Sequence, residues 1–134
     1  MIRPVLIAIG LLFFFSCGNR PGKQVYLAPE EKMTVIEVLD RTVQRDHPKF
    51  QFNVKENKAF GFAGCNTFSA PYTLSGNTIK FNYPIATEMW CEGKMDNEKD
   101  FFSALASARS FSVKDRIFML YDDENNILLK ATYE

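Results

Sequence analysis

Two cysteines, one histidine and an asparagine set among glycines are the residues of this chain best equipped for chemistry. Cys65 lies in Gly61-Phe62-Ala63-Gly64-Cys65-Asn66, and Cys91 closes Thr87-Glu88-Met89-Trp90-Cys91, 26 positions later. Three readings are open for such a pair: a disulfide, two buried thiols packed as small hydrophobes, or reactive or metal-bound thiolates. Thiolate catalysis wants a base and a group that orients it. His47 sits in a polar connection beside Pro48, and no third group stands out. Zinc wants about four suitably spaced ligands, which one histidine and two cysteines do not supply. The glycines are not a phosphate loop, because no Gly-Lys-Ser/Thr follows them. Asp122-Asp123-Glu124 lacks the alternation and glycine of a calcium loop and reads as a solvated turn. Glu92, Asp96, Glu98 and Asp100 read as the acidic start of a helix rather than as paired catalytic carboxylates. The expectation is a chain with no catalytic constellation, no metal and no cofactor.

Charge and composition narrow the partners. Sixteen basic residues balance sixteen acidic ones, and they are interspersed, so the clustered basic excess of a nucleic-acid binder is missing. Near the N-terminus, Arg3 precedes an uncharged apolar run from Val5 to Phe15. That run is shorter than the roughly 20 residues of a spanning helix but suits the apolar region of an export signal. Ser16-Cys17 directly after it resembles a bacterial lipoprotein processing site. The resemblance implies a signal peptide over 1–16, lipidation of Cys17, and a flexible tether over 17–30 ahead of a domain at 31–134. It further implies a protein held in the cell envelope, at the outer membrane facing the periplasm. In such a compartment the disulfide is the simplest fate of Cys65 and Cys91.

The elements that must position these residues follow from patterning. Pro29 to Lys32 reads as a short helical turn. The β-branched run Thr34 to Val38 favours a strand. Phe50, Phe52 and Val54 alternate with polar residues, Glu56-Asn57 turns the chain, and Lys58 to Phe62 returns as the hairpin partner. Tyr72 to Leu74 and Thr78 to Tyr83 flank Ser75-Gly76-Asn77 as a second hairpin, closed by Pro84. Asp96 or Asn97 can cap a helix whose core stripe is Phe101 or Phe102, Leu105 and Ala108, with Arg109 near its end. Arg116 to Tyr121 and Ile127 to Tyr133 form a last pair of strands. Gly61 and Gly64 are read as structural: a positive φ, a bulge or a close approach of strands. Asn66 is read as bonding the backbone of its own turn. Many short strands with one helix predict an α+β, mainly β fold: an antiparallel, cracked β-barrel-like sheet with one packed α-helix.

With the parts in this order the chain resembles the META domain family, which includes heat-shock-inducible small bacterial lipoproteins. Gly61-x-x-Gly64-Cys65-Asn66, Tyr72, Thr87-x-Met89-x-Cys91 and Glu98 before Phe101-Phe102-x-x-Leu105 carry the resemblance, over about residues 33–133. Ala70-Pro71, Glu88 and Trp90 depart from the family's usual glycine, basic and small residues at those places. The family implies a small barrel-like domain with no established enzymatic activity. It points to a non-enzymatic, membrane-tethered module, stress-related or engaged with an envelope protein partner, and monomeric. The alternative is a carrier or sensor of a hydrophobic ligand or lipid inside the aromatic interior. If Thr87 to Cys91 is extended, Thr87, Met89 and Cys91 share one face and Glu88 and Trp90 the other. With Met89 and Cys91 inward, Trp90 between Glu88 and Glu92 becomes the candidate partner contact.

Overall fold

The computed structural model describes residues 26–134. The expected signal peptide, Cys17 and the first part of the tether lie outside the described residues. Ten strands and one helix follow one another: β1 Met33–Val38, β2 Arg41–Thr42, β3 Lys49–Asn53, β4 Lys58–Phe62, β5 Thr67–Ser75, β6 Thr78–Phe81, β7 Ile85–Ala86, α1 Met95–Ser107, β8 Ser110–Lys114, β9 Ile117–Tyr121 and β10 Ile127–Tyr133. Eight of the strands form an antiparallel ring. It runs β10-β9-β8-β6-β5-β4-β3-β1, and β1 closes it by pairing again with β10. The ring is thin at one place: β6 and β8 share the single register pair Thr78 and Ser110. This seam is the crack in the sheet.

Alternation sends one face of each strand inward. Phe50 and Phe52 of β3, Ala59 of β4, Phe68, Ala70 and Tyr72 of β5, Ile79 and Phe81 of β6, and Phe118 and Leu120 of β9 are buried. Their rings interlock; Phe52 meets Tyr72 edge to face at 5.3 Å and Phe118 in a tilted contact at 5.6 Å, between centroids. Such pairs add about 0.5–1.5 kcal/mol each beyond the area they bury. The helix closes the interior by inserting Phe101, Ala104 and Leu105, with Phe101 against Phe50 and Phe68.

Several boundaries differ from the sequence expectation. Pro29 to Lys32 is not a helical turn: Pro29 bridges to Phe52 and the Glu30 N–H donates to the Phe52 carbonyl. Leu27 is only 6 % exposed, so the end of the expected tether already belongs to the domain. The helix begins at Met95 after Lys94, and neither Asp96 nor Asn97 caps it with a side-chain bond. Its far end is held by Arg109, whose guanidinium donates to the carbonyls of Ala106 and Ala108. Strand β8, absent from the expectation, begins right after that cap.

Candidate functional site

The glycine-cysteine bend joins β4 to β5, and each of its glycines has a different steric duty. Gly61 pairs with Phe50 across the β3–β4 ladder, where a Cβ would sit 2.1 Å from the Lys49 carbonyl oxygen and 2.8 Å from the Phe50 Cα. Only a residue without a side chain lets the two backbones come this close. Gly64 has a φ of +111°, in the region that disfavours side chains. The bend then closes on itself through Ala63 N–H to the Asn66 carbonyl, 2.8 Å.

Cys65 and Cys91 form a disulfide, with Cα atoms 5.8 Å apart. The bond ties the β4–β5 bend to the chain that leaves β7 for the helix. Beside it lies a buried polar cluster. Asn66, 2 % exposed, does not serve its own turn as expected; its side chain reaches across to the second motif. Its Oδ1 accepts from the Met89 N–H (2.7 Å) and the Thr87 hydroxyl (2.8 Å), and its Nδ2 donates to the Met89 carbonyl (3.1 Å). The turn's own bond is made by backbone, which leaves the side chain free for this. Glu98, 7 % exposed, completes the cluster by accepting from the Asn66 N–H (2.6 Å) and Nδ2 (2.9 Å). Buried polar atoms need partners, and here every Asn66 group has one.

Glu98 stands in the acidic first turn of the helix, as expected, and is in addition a buried partner of the asparagine. The signal was in the sequence, because Glu98 falls on the same helical stripe as Phe101 and Leu105, three and seven residues on. His47 is also structural: its Nδ1 donates to the Val35 carbonyl at 2.6 Å, where β1 and β3 diverge. Among the described residues no group of three or more His, Cys, Asp or Glu could hold a metal, and no helix is long and apolar enough to cross a membrane.

The second motif departs from the alternation expected of it. Thr87 to Cys91 belongs to no ladder, and both Thr87 and Met89 are exposed. Asn66 takes up the Met89 backbone, so the side chain turns outward with its neighbours. Trp90 is 79 % exposed, as expected, and Glu88 and Glu92 are exposed on either side. Sequence reasoning missed two companions: Tyr83, 92 % exposed, and Ile85, 76 % exposed. The apolar residues bracketing Pro84 were the available signal. Residues 83–90 therefore present Tyr83, Ile85, Met89 and Trp90 to solvent, next to an open groove of about 720 Å³ between β7 and α1. Phe102, Ser103, Ala106 and Lys99 form its helical wall.

Asp122 organises the β9–β10 turn, accepting from the Asn126 side chain and from the N–H groups of Asn126 and Glu124. The Asn126 amide, with those N–H groups, holds its carboxyl below the ordinary 3.8. This turn is solvated, as expected.

A family model described as META domain matches residues 32–133. The NMR structure of a protein from Burkholderia xenovorans is similar at a TM-score of 0.65 and 19 % identity, covering 79 % of this chain and 83 % of that chain. At that identity the likeness is one of fold. No curated protein matches the chain.

Proposed function

This chain belongs to the META domain family, and from that premise we propose a non-enzymatic interaction module of the cell envelope, tethered to a membrane through lipid on Cys17. The observation that carries the reading is the segment 83–90. Four large apolar side chains stand in solvent on a backbone that is anything but loose: β5 pairs with β7 at one end, Asn66 grips Met89, and the disulfide fixes Cys91. Apolar surface held this firmly in water gains nothing from burial within its own chain, and it suits a contact whose ordering cost is met in advance. Trp90 is its anchor, with Glu88 and Glu92 at the rim.

The lipid tether rests on the apolar run Val5 to Phe15 and Ser16-Cys17, and the outer-membrane, periplasm-facing location follows from that resemblance. The stress-related role follows from the family resemblance alone. The chain acts as a monomer in this reading. Phe50, Phe52, Phe101, Phe111 and Phe118 are buried inside the ring, which weighs against the carrier alternative.

The test is a pull-down from detergent-solubilised envelope with the wild-type chain and with Trp90→Ala. A partner retained by the wild type and lost with the variant, at unchanged thermal stability, is the expected result. Equal recovery of every envelope protein by both would refute Trp90 as the contact.

A further inference from the structure

We infer that the groove beside β7 takes an extended polypeptide segment, added as a strand to the free edge of β7, with apolar side chains in the groove and a basic residue toward Glu88. This deepens the interaction reading above and rests on it.

The backbone states the need for a polypeptide. Strand β7 pairs on one side with β5, through Phe68 with Ala86 and Ser69 with Ile85. The Thr87 N–H donates to the Thr67 carbonyl at 3.1 Å. In an antiparallel ladder successive residues point their N–H and C=O groups to opposite sides. Ile85 and Thr87 therefore face β5, and the N–H and C=O of Ala86 face away from it, toward the groove. No strand pairs with that side among the described residues. A lipid chain would leave this donor and acceptor without partners; another main chain would satisfy both.

The groove walls set the side chains. Ile85, Ala86 and Phe102 offer apolar contact, and about 720 Å³ lies within the ordinary range of ligand clefts. Glu88 lines the groove and Glu92 stands four residues beyond, both exposed and neither in an ion pair among the described residues. Two carboxylates against the single Lys99 of the helical wall favour a basic residue in the guest. The same charges argue against a second copy of this chain on β7. A two-fold antiparallel pairing centred on Ala86 would set Glu88 of each copy opposite Pro84 of the other, offering neither carboxylate a cation.

The experiment uses the full chain and phage-displayed random peptides of about ten residues, long enough to cover the edge. Selected peptides are expected to alternate apolar residues and to carry Lys or Arg. A selected peptide should protect the Ala86 amide from hydrogen exchange. N-methylation of the peptide residue opposite Ala86 should weaken binding about tenfold, and methylation of the next residue should not, since alternate N–H groups face away. Ala86→Pro removes the outward N–H without touching the β5 ladder and should weaken binding similarly, while Glu88→Gln should remove the preference for basic residues. Selection of no peptide, binding indifferent to both methylations, or an Ala86 amide already protected in the free chain by its own N-terminal segment would each overturn strand addition. Peptides that still require Trp90 but ignore Ala86→Pro would overturn strand addition while leaving the interaction surface standing. Loss of the Trp90 effect in the pull-down would instead strike the reading beneath it.

Discussion

Replacing Asn66 by alanine should cost far more than a turn asparagine normally does. The side chain makes four bonds: Nδ2 to the Glu98 carboxylate and the Met89 carbonyl, and Oδ1 from the Met89 N–H and the Thr87 hydroxyl. At about 1 kcal/mol net per bond the loss approaches 4 kcal/mol. For a domain of this size that corresponds to a fall in Tm of about 15 °C. Thermal and urea unfolding followed by circular dichroism, with the disulfide intact, measure it. A fall under about 3 °C would refute the claim that these bonds organise the bend, because four broken bonds cannot cost so little unless water replaces them all. Asn66→Asp sharpens the test. It keeps the acceptor but sets a second carboxylate beside Glu98, and two carboxylates in contact are relieved when one takes a proton. Asn66→Asp should therefore regain stability relative to wild type as the pH falls from 7 toward 5, whereas Asn66→Ala should show no such recovery.

Gly61→Ala forces a methyl group against the β3 backbone and should destabilise by at least about 3 kcal/mol, at the top of the range for overpacking, read as a drop in the urea midpoint. Cys91→Ser opens the loop closed by the disulfide and should cost about 3.5 kcal/mol on the chain-entropy estimate; a value under about 1 would mean the loop is held by Asn66 alone. Trp90→Ala should leave stability within about 0.5 kcal/mol of wild type, as for an exposed site making no structural bond. The Asp122 carboxyl, lowered first by the Asn126 amide, should titrate below 3.8 by NMR and move back up in Asn126→Ala. Because its folded value is depressed, its contribution is present above 3.8 and is lost as pH falls through the folded value.

The sheet was legible because its signals are local and mutually consistent. Phe50 and Phe52 alternate, Glu56-Asn57 and Ser75-Gly76-Asn77 turn the chain, and the core stripe of Phe101 and Leu105 repeats at helical spacing. The site was legible only in part. The cysteine pair and the close approach at Gly61 could be anticipated from residue type, and so could the exposure of Trp90. The inward placing of Met89 failed because alternation governs side chains only where a ladder fixes the backbone. Here side-chain bonds from Asn66 replaced the ladder, and such a bond between residues 23 apart leaves no periodic trace. Strand β8 was missed although Ser110-Phe111-Ser112-Val113-Lys114 alternates polar and apolar residues; the run is only five residues long and follows the helix almost directly, where it reads as a continuation of the connection.

The disulfide, the Asn66–Glu98 cluster and Gly61 act on one neighbourhood, and together they explain why an apolar segment can stay in water without folding back. Residues 83–90 leave β6 at the thin side of the ring, where a loose loop would tend to lay Tyr83 and Ile85 over the groove against Phe102. Three attachments oppose that collapse. Thr87 is bonded to Thr67 and Asn66, Met89 is bonded by both its backbone groups, and Cys91 is covalently fixed. Glu98 in turn binds the asparagine from the helix, so the second wall of the groove is registered to the first. A groove whose two walls share one buried polar cluster keeps its width whether empty or filled, and a guest then loses little affinity to reorganisation. The groove thus owes its shape to residues that a guest would never touch.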